Sequence, residues 1–283
     1  MPLPTTRPVR IPDPEHDIVL DVATAGSAGG RPVLLLHGFP ETHAEWRDVI
    51  PLLADAGLRV YAVDQRGYSR GARPPGVAQY DQAHLVRDVV SLVHALGHER
   101  VHLVGHDWGA MVAWSVAAPH PEVVHTLTAV SVPHPAALYA TAAEDADQRE
   151  RLGYTDFLRL TGKAERVLAE DGFRRLRAMY GDWVPTELAD AHVARLAEPG
   201  ALTGALSYYR ASQEDYERTP VVRVPTTLVW GSEDPVCGRV AVQRCRDFVA
   251  GEYELVELAG ISHWVPEQVP EETAAAVIAR AGD

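Results

Sequence analysis

The chain of 283 residues holds two cysteines. Cys237 and Cys245 lie in one short stretch, which supplies no disulfide framework and no zinc-ligand spacing, so both are read as packing residues. Positive charge is also scarce: 26 Lys and Arg stand against 39 Asp and Glu, a formal net charge of −13. The acidic residues are scattered and no basic stripe follows a phosphate backbone, which excludes nucleic acid as the expected partner. No run approaches the roughly 18 apolar residues of a membrane span, and the N-terminal MPLPTTRPVRIPDPEHD lacks the apolar centre of a secretory signal. The expected location is cytoplasmic, without a membrane partner. There is no dinucleotide-binding glycine pattern, no P-loop and no internal repeat, so no metal or organic cofactor is implied.

What is present is a regular alternation in a chain that is 46% hydrophobic and 23% charged, enough for one large domain or a core with an insertion. From residue 31 short apolar runs alternate with helical periods, as a parallel sheet covered by helices requires. RPVLLLHG reads as a buried strand, and Thr42 with Glu45 forms a capping-box pattern ahead of Trp46, Val49, Ile50 and Leu53 at helical spacing. RVYAVDQRG is the next strand. Leu85, Val89, Leu92, Val93 and Leu96 mark an amphipathic helix that Gly97 can end, and RVHLVGHD and VHTLTAVSVP read as further strands. From 135 to 219 the alternation stops, leaving helical segments such as YTDFLRLTG, AERVLAEDGFRRLRAMYG and ALSYYRAS. It resumes with VPTTLVWGSEDP, GRVAVQRCRDFVAG and YELVELAG, and a last helix runs through PEETAAAVIARAG. The expected organisation is one α/β core built from 1–134 and 220–283, with a helical lid at 135–219. The first dozen residues are either loose or strapped onto that core.

The stretch VGHDWGAMVAW, residues 104–114, has the shape of a strand-to-helix turn that carries a nucleophile, with Asp107 at its centre. Such a turn needs small neighbours, and Gly105, Gly109 and Ala110 supply them. Taken alone, Asp107 serves equally well as a helix cap, where free amides favour a carboxylate. Two later features tip the balance. GSEDP places Asp234 just past a strand and ISHW places His263 just past the final one, so nucleophile, acid and base follow one another along the chain. In a parallel sheet these strand ends share one edge, where ligands bind. HGFP, residues 37–40, ends the first long apolar strand, so the Phe39 amide can face that of Trp108 and form an oxyanion hole; it also reads as a plain tight turn. His37 and His106 flank this site as loop-holding residues, and His134 stands at the entrance to the helical stretch as a candidate substrate contact.

The segments HGFPETHAEWRDVIPLL, AVDQRGYS, GHDWGA, GSEDP and ISHWVPEQVP resemble the α/β-hydrolase superfamily over nearly the whole core. More narrowly they resemble the epoxide hydrolases that act through an aspartyl nucleophile. The resemblance implies an α/β-hydrolase fold: a mostly parallel central sheet flanked by helices, with the all-helical lid inserted after the sixth strand. It further implies two lid tyrosines that donate to the epoxide oxygen. GYTDFLRLTGKAE puts Tyr154 in one matching context and ALSYYRA puts Tyr209 in the other, with Tyr208 beside it as the alternative. The implied catalytic set is Asp107, His263, Asp234, Tyr154 and Tyr209, with Phe39 and Trp108 as the oxyanion hole. The implied pocket adds His37, Pro40, His134, Tyr208 and Trp264 to Trp108. The partners would be a small-molecule epoxide and water, and the chain a monomer or homodimer. An aspartate suits this chemistry because serine attack on a saturated carbon leaves an ether, whereas a carboxylate leaves an ester that water can cleave. Haloalkane dehalogenases share the aspartate and often the tryptophan after it, but Trp183, the lid's only tryptophan, sits in a context (GDWVP) that suggests no halide role. A non-catalytic small-ligand-binding protein of the same fold is the third reading.

Overall fold

The computed structural model describes residues 5–211 and 213–282. The apolar runs form one eight-stranded sheet: β1 (Thr6–Ile11), β2 (Ile18–Ala25), β3 (Arg31–Leu36), β4 (Leu58–Asp64), β5 (Val101–His106), β6 (Val124–Val130), β7 (Thr226–Gly231) and β8 (Tyr253–Leu258). Their spatial order is β1-β2-β4-β3-β5-β6-β7-β8, and all pairs are parallel except β1 with β2 and β2 with β4. The helices of the first stretch are α1 (Val49–Asp55), α2 (Gln82–Ala95) and α3 (Trp108–Ala117). Between β6 and β7 the named elements among the described residues are all helices: α4 (Pro135–Glu144), α5 (Ala146–Arg151), α6 (Tyr154–Leu158), α7 (Lys163–Met179), α8 (Thr186–Leu196), α9 (Ala201–Arg210) and α10 (Gln213–Glu217). The chain closes with α11 (Arg239–Arg244), α12 (Val265–Gln268) and α13 (Pro270–Gly282). Among the described residues no helix is long and apolar enough to cross a membrane.

The central strands are mostly apolar and buried along most of their length because both of their faces are covered. In β3, Leu34 and Leu36 join the apolar cluster containing α2 and α3, whereas Val33 and Leu35 join the cluster containing α1 and α13. The period of two sends successive side chains to opposite sides, which makes this double burial possible.

Of the two readings of the first dozen residues, strapping onto the core holds for 6–11, which form the edge strand β1, paired with β2 over all six of its residues; residues 1–4 lie outside the described residues. One local reading is corrected here. Thr42 caps a short 3₁₀ turn through Ala44 N, but Glu45 does not return to the Thr42 amide as a capping box requires. Its carboxylate accepts from Gly38 N at 3.2 Å, inside the protein. Burial beside a loop with free amides outweighs the local capping preference.

Candidate active site

Four strand ends on one edge of the sheet present the expected groups. Asp107 follows β5 directly, with φ 49° and ψ −118°, a left-handed conformation that costs energy in any residue with a β-carbon. The turn is also tight. A methyl group on Gly105 would lie 2.2 Å from the Gly109 carbonyl oxygen, and one on Gly109 would lie 2.1 Å from that of Leu36, so both positions require glycine. Trp108 opens α3, whose first amides have no acceptor within the helix.

From the end of β3, the Phe39 amide donates to Asp107 Oδ1 at 2.7 Å. The other oxygen, Oδ2, lies 3.4 Å from His263 Nε2, and His263 Nδ1 is 2.9 Å from Asp234 Oδ2. Asp234 Oδ1 in turn accepts from the amides of Val236 at 2.7 Å and Cys237 at 3.0 Å. The His263 carbonyl is held from behind by Ser131 Oγ at 2.7 Å and by His106 Nε2 at 2.9 Å. All three of Asp107, Asp234 and His263 are buried.

Burial alone would raise the pKa of Asp107, but the hydrogen bond and charge of His263, then His106 and the Phe39 amide, hold it below its ordinary value. Burial opposes the charge on His263 as well; the charge of Asp234 and hydrogen bonds to Asp107 and Asp234 overcome it and lift the imidazole from 6.5 to about 9. Tyr154 and Tyr209 are pushed well above 10, chiefly by burial, so both phenols are protonated donors. Their rings meet edge to face at 6.5 Å.

Two connected hollows open on Asp107 between the strand ends and the helical segment. The outer one, about 230 Å³, is lined by Phe39, Asp107, Arg151, Tyr154, Met179, Tyr209, Pro235, Val236, His263 and Trp264. The inner one, about 40 Å³, adds Trp108, Met111, Val132, Leu138, Tyr139, Leu152 and Thr155.

Asp107, His263, Tyr154, Tyr209, Phe39, Trp108 and Trp264 therefore share the two hollows, with Asp234 behind His263. Four expected pocket residues lie elsewhere. His37 binds the Gly38 carbonyl and the Gln65 amide and packs on Tyr68. Pro40, whose bond to Phe39 is cis, accepts from Tyr180 OH. His134 caps α4, reaches the Pro220 carbonyl at 3.0 Å and stacks on Phe248. Tyr208 donates to the Arg66 carbonyl at 2.8 Å, which leaves Tyr209 as the tyrosine at the hollow. Each of these four is tied to main-chain or core groups that its sequence neighbours do not reveal. Conversely, Met111, Val132, Tyr139, Val236 and Arg151 line the site although nothing in the sequence singles them out, since an apolar residue facing a ligand has the same sequence signature as one facing the core.

Around His106, next to Asp107 in the chain, lies a cluster of buried acids. His106 Nδ1 is 3.2 Å from Glu41 Oε2 and from Glu45 Oε2, and His192 Nε2 is 4.0 Å from Glu41 Oε1. Glu41, Glu45 and His106 form one set of potential metal ligands, and Glu41, His192 and Glu267 another, each with its donor atoms within 4.8 Å of one another. Burial and repulsion from Glu45 push Glu41 up to about 7, and burial first pushes Glu45 and Glu267 well above the ordinary 4.5. Despite its burial, His106 rises to about 9 through the hydrogen bond and charge of Glu41. The chemistry of these donors at neutral pH is thus that of groups sharing protons.

Residues 31–268 match the family model of the alpha/beta hydrolase fold. The chain is 33% identical to epoxide hydrolase A of Mycobacterium tuberculosis, over 93% of this chain and 94% of the relative. Among solved structures it superposes on epoxide hydrolase A of Mycobacterium thermoresistibile with a TM-score of 0.84, at 31% identity, covering 98% of this chain and 97% of the other. A point mutant of an epoxide hydrolase from Bacillus megaterium, complexed with its product (R)-3-[1]naphthyloxy-propane-1,2-diol, superposes at a TM-score of 0.87 with 25% identity, covering 98% of this chain and 100% of the other.

Proposed function

This chain belongs to the α/β-hydrolase fold family and, within it, to the epoxide hydrolases, hydrolases acting on ether bonds; from that premise we propose that it converts an epoxide to a vicinal diol through an ester on Asp107. The observation that carries the mechanism is the unequal setting of the two carboxylate oxygens. Oδ1 is bound by the Phe39 amide, whereas Oδ2 faces His263 and the hollow that also contains both tyrosines.

In the first step Oδ2 attacks a ring carbon, the carbon–oxygen bond breaks, and the developing alkoxide takes a proton from Tyr154 or Tyr209. In the second, His263 removes a proton from water, whose oxygen adds to the Asp107 carbonyl carbon. The negative charge collects on Oδ1, where the Phe39 and Trp108 amides stabilise it by roughly 3 kcal/mol or more per well-placed donor. Collapse leaves a carboxyl group whose proton passes to the departing diol oxygen, which restores the carboxylate; His263, having given its own proton to the tyrosinate before taking one from water, ends protonated as in the free enzyme.

Residues 135–219 would act as the lid over the core of 1–134 and 220–283. The helical segment supplies Tyr154, Tyr209 and the apolar wall around them, which excludes water during the first step. His37, Pro40, His134 and Tyr208 have no part in this scheme. The enzyme would work in the cytoplasm as a monomer or homodimer. Epoxide opening is favoured over dehalogenation because Tyr154 and Tyr209 line both hollows with Asp107 and Trp183 is 47% exposed; Trp264 lines the outer hollow, so the bromoalkane below tests the alternative directly.

The test is intact-protein mass spectrometry of His263→Gln incubated with styrene oxide or with a short bromoalkane. The expected result is an adduct of the full epoxide mass on the peptide containing Asp107. An adduct from the bromoalkane alone would reassign the chain to dehalogenation, and no adduct from either would favour a binding role.

A further inference from the structure

The outer hollow contains one charged side chain that the proposed reaction does not use. Arg151, the last residue of α5, lines it together with Asp107, His263 and both tyrosines, and the remaining walls are apolar. Its Nε donates to Asp147 and its Nη1 to the main-chain carbonyl of Asp234, each at 2.7 Å. Nη2 has no acceptor among the described residues. The Asp147 carboxylate is 67% exposed, so its pairing with Arg151 is of the weak, solvent-screened kind. A guanidinium beside apolar walls with donors to spare is a poor arrangement for an empty hollow and a good one for a planar anion, which it can grip through two parallel N–H groups.

The shape of the site says which end of a substrate would bring that anion. The inner hollow, about 40 Å³ against about 230 Å³ for the outer one, is much the smaller of the two and suits a small substituent. The larger substituent of any epoxide held at Asp107 must therefore extend into the outer hollow, toward Arg151. We propose that Arg151 is a specificity-determining residue that binds a carboxylate on this longer substituent, so that the preferred substrates are short epoxy acids. This rests on the epoxide hydrolase reading and adds the substrate class to it. Arg151 also ties α5 to the loop carrying Asp234, and that purely structural role would affect every substrate alike.

The experiment compares kcat/KM for a short terminal epoxyalkanoate and for its primary amide, with styrene oxide as a general epoxide. The wild type is expected to favour the acid over the amide, with a preference that shrinks as salt is added. In Arg151→Met the acid-to-amide ratio should fall about 10- to 100-fold, the usual range for a charged hydrogen-bonded pair, and in Arg151→Lys by less. A ratio unchanged in Arg151→Met, whatever happens to the absolute rates, would reduce Arg151 to a structural tie and overturn the proposal. So would a wild type that opens styrene oxide and the amide but not the acid. If the wild type opens no epoxide at all, the underlying reading fails as well, so the two failures are distinguishable.

Discussion

His263 touches two aspartates, and only one of them keeps its charge through the proposed reaction. In the free enzyme the imidazole is raised to about 9 by Asp234 first and Asp107 second, so at neutral pH it is protonated and cannot act as a base. Esterification of Asp107 removes the second support, and the histidine becomes a base only once there is an ester to cleave. The expected outcome is that lowering the pH from 9 toward the ordinary 6.5 increases the fraction of enzyme trapped as the ester, read by acid quench and mass spectrometry during turnover. A trapped fraction independent of pH would place the base elsewhere. Asp107, Asp234, His263 and Phe39 are legible in the sequence because each follows a strand whose apolar run is visible, and the parallel sheet brings those ends together. His37, His134 and Tyr208 mislead because proximity along the chain says nothing of the carbonyl to which a side chain is committed.

The loop carrying the acid is shaped by a helix from the inserted segment. Gln148 of α5 donates to the Val236 carbonyl at 2.9 Å and accepts from the Gly238 amide at 2.8 Å, while the same loop gives its Val236 and Cys237 amides to Asp234. One side chain thus satisfies two main-chain groups that water reaches poorly. Gln148→Ala should cost about 1–3 kcal/mol, visible as a lower midpoint in denaturant, and should slow ester cleavage more than ester formation because it loosens the support of His263. Equal slowing of both steps would remove that coupling. At this scale the periodic elements are readable from the sequence: α2 and α13 run over the helices expected from their apolar spacing. α7 reads as one helix but breaks at 170–173, where Asp171 and Phe173 adopt positive φ beside Gly172. β1 and β2 escape a reading by pattern because their alternation is short and punctuated by charge and proline, and an edge pair needs only one apolar face.

For the molecule as a whole, the buried cluster around His106 makes stability depend on pH. Glu41, Glu45 and Glu267 all have folded pKa values raised above 4.5, so folding binds protons and their contribution is fully present only at acid pH. It declines as pH rises from 4.5 through about 7 for Glu41, and declines above 4.5 for the other two as well. His106, raised to about 9, adds stability below 6.5 that is lost as pH passes 9. All four trends have the same sign, whereas His37, His102, His134 and His192, depressed to about 3–4 by burial, favour folding increasingly as pH rises to 6.5; the melting temperature should therefore fall as pH rises above about 6.5, and Glu267→Gln should flatten that slope. A slope unchanged by the substitution would mean that the cluster does not titrate on unfolding. The sequence conceals this feature because glutamates are normally surface residues, and Glu45 in particular matches a capping pattern. Trp108 is enclosed by tyrosines instead: its ring meets those of Tyr208, Tyr209 and Tyr216 edge to face at 5.5, 5.0 and 5.6 Å, directly after Asp107 in the chain. Energy absorbed by those phenols can pass to the indole, so the protein carries its own optical probe, and each turn of the Asp107 cycle should register as a change in emission that a stopped-flow trace can follow without a label.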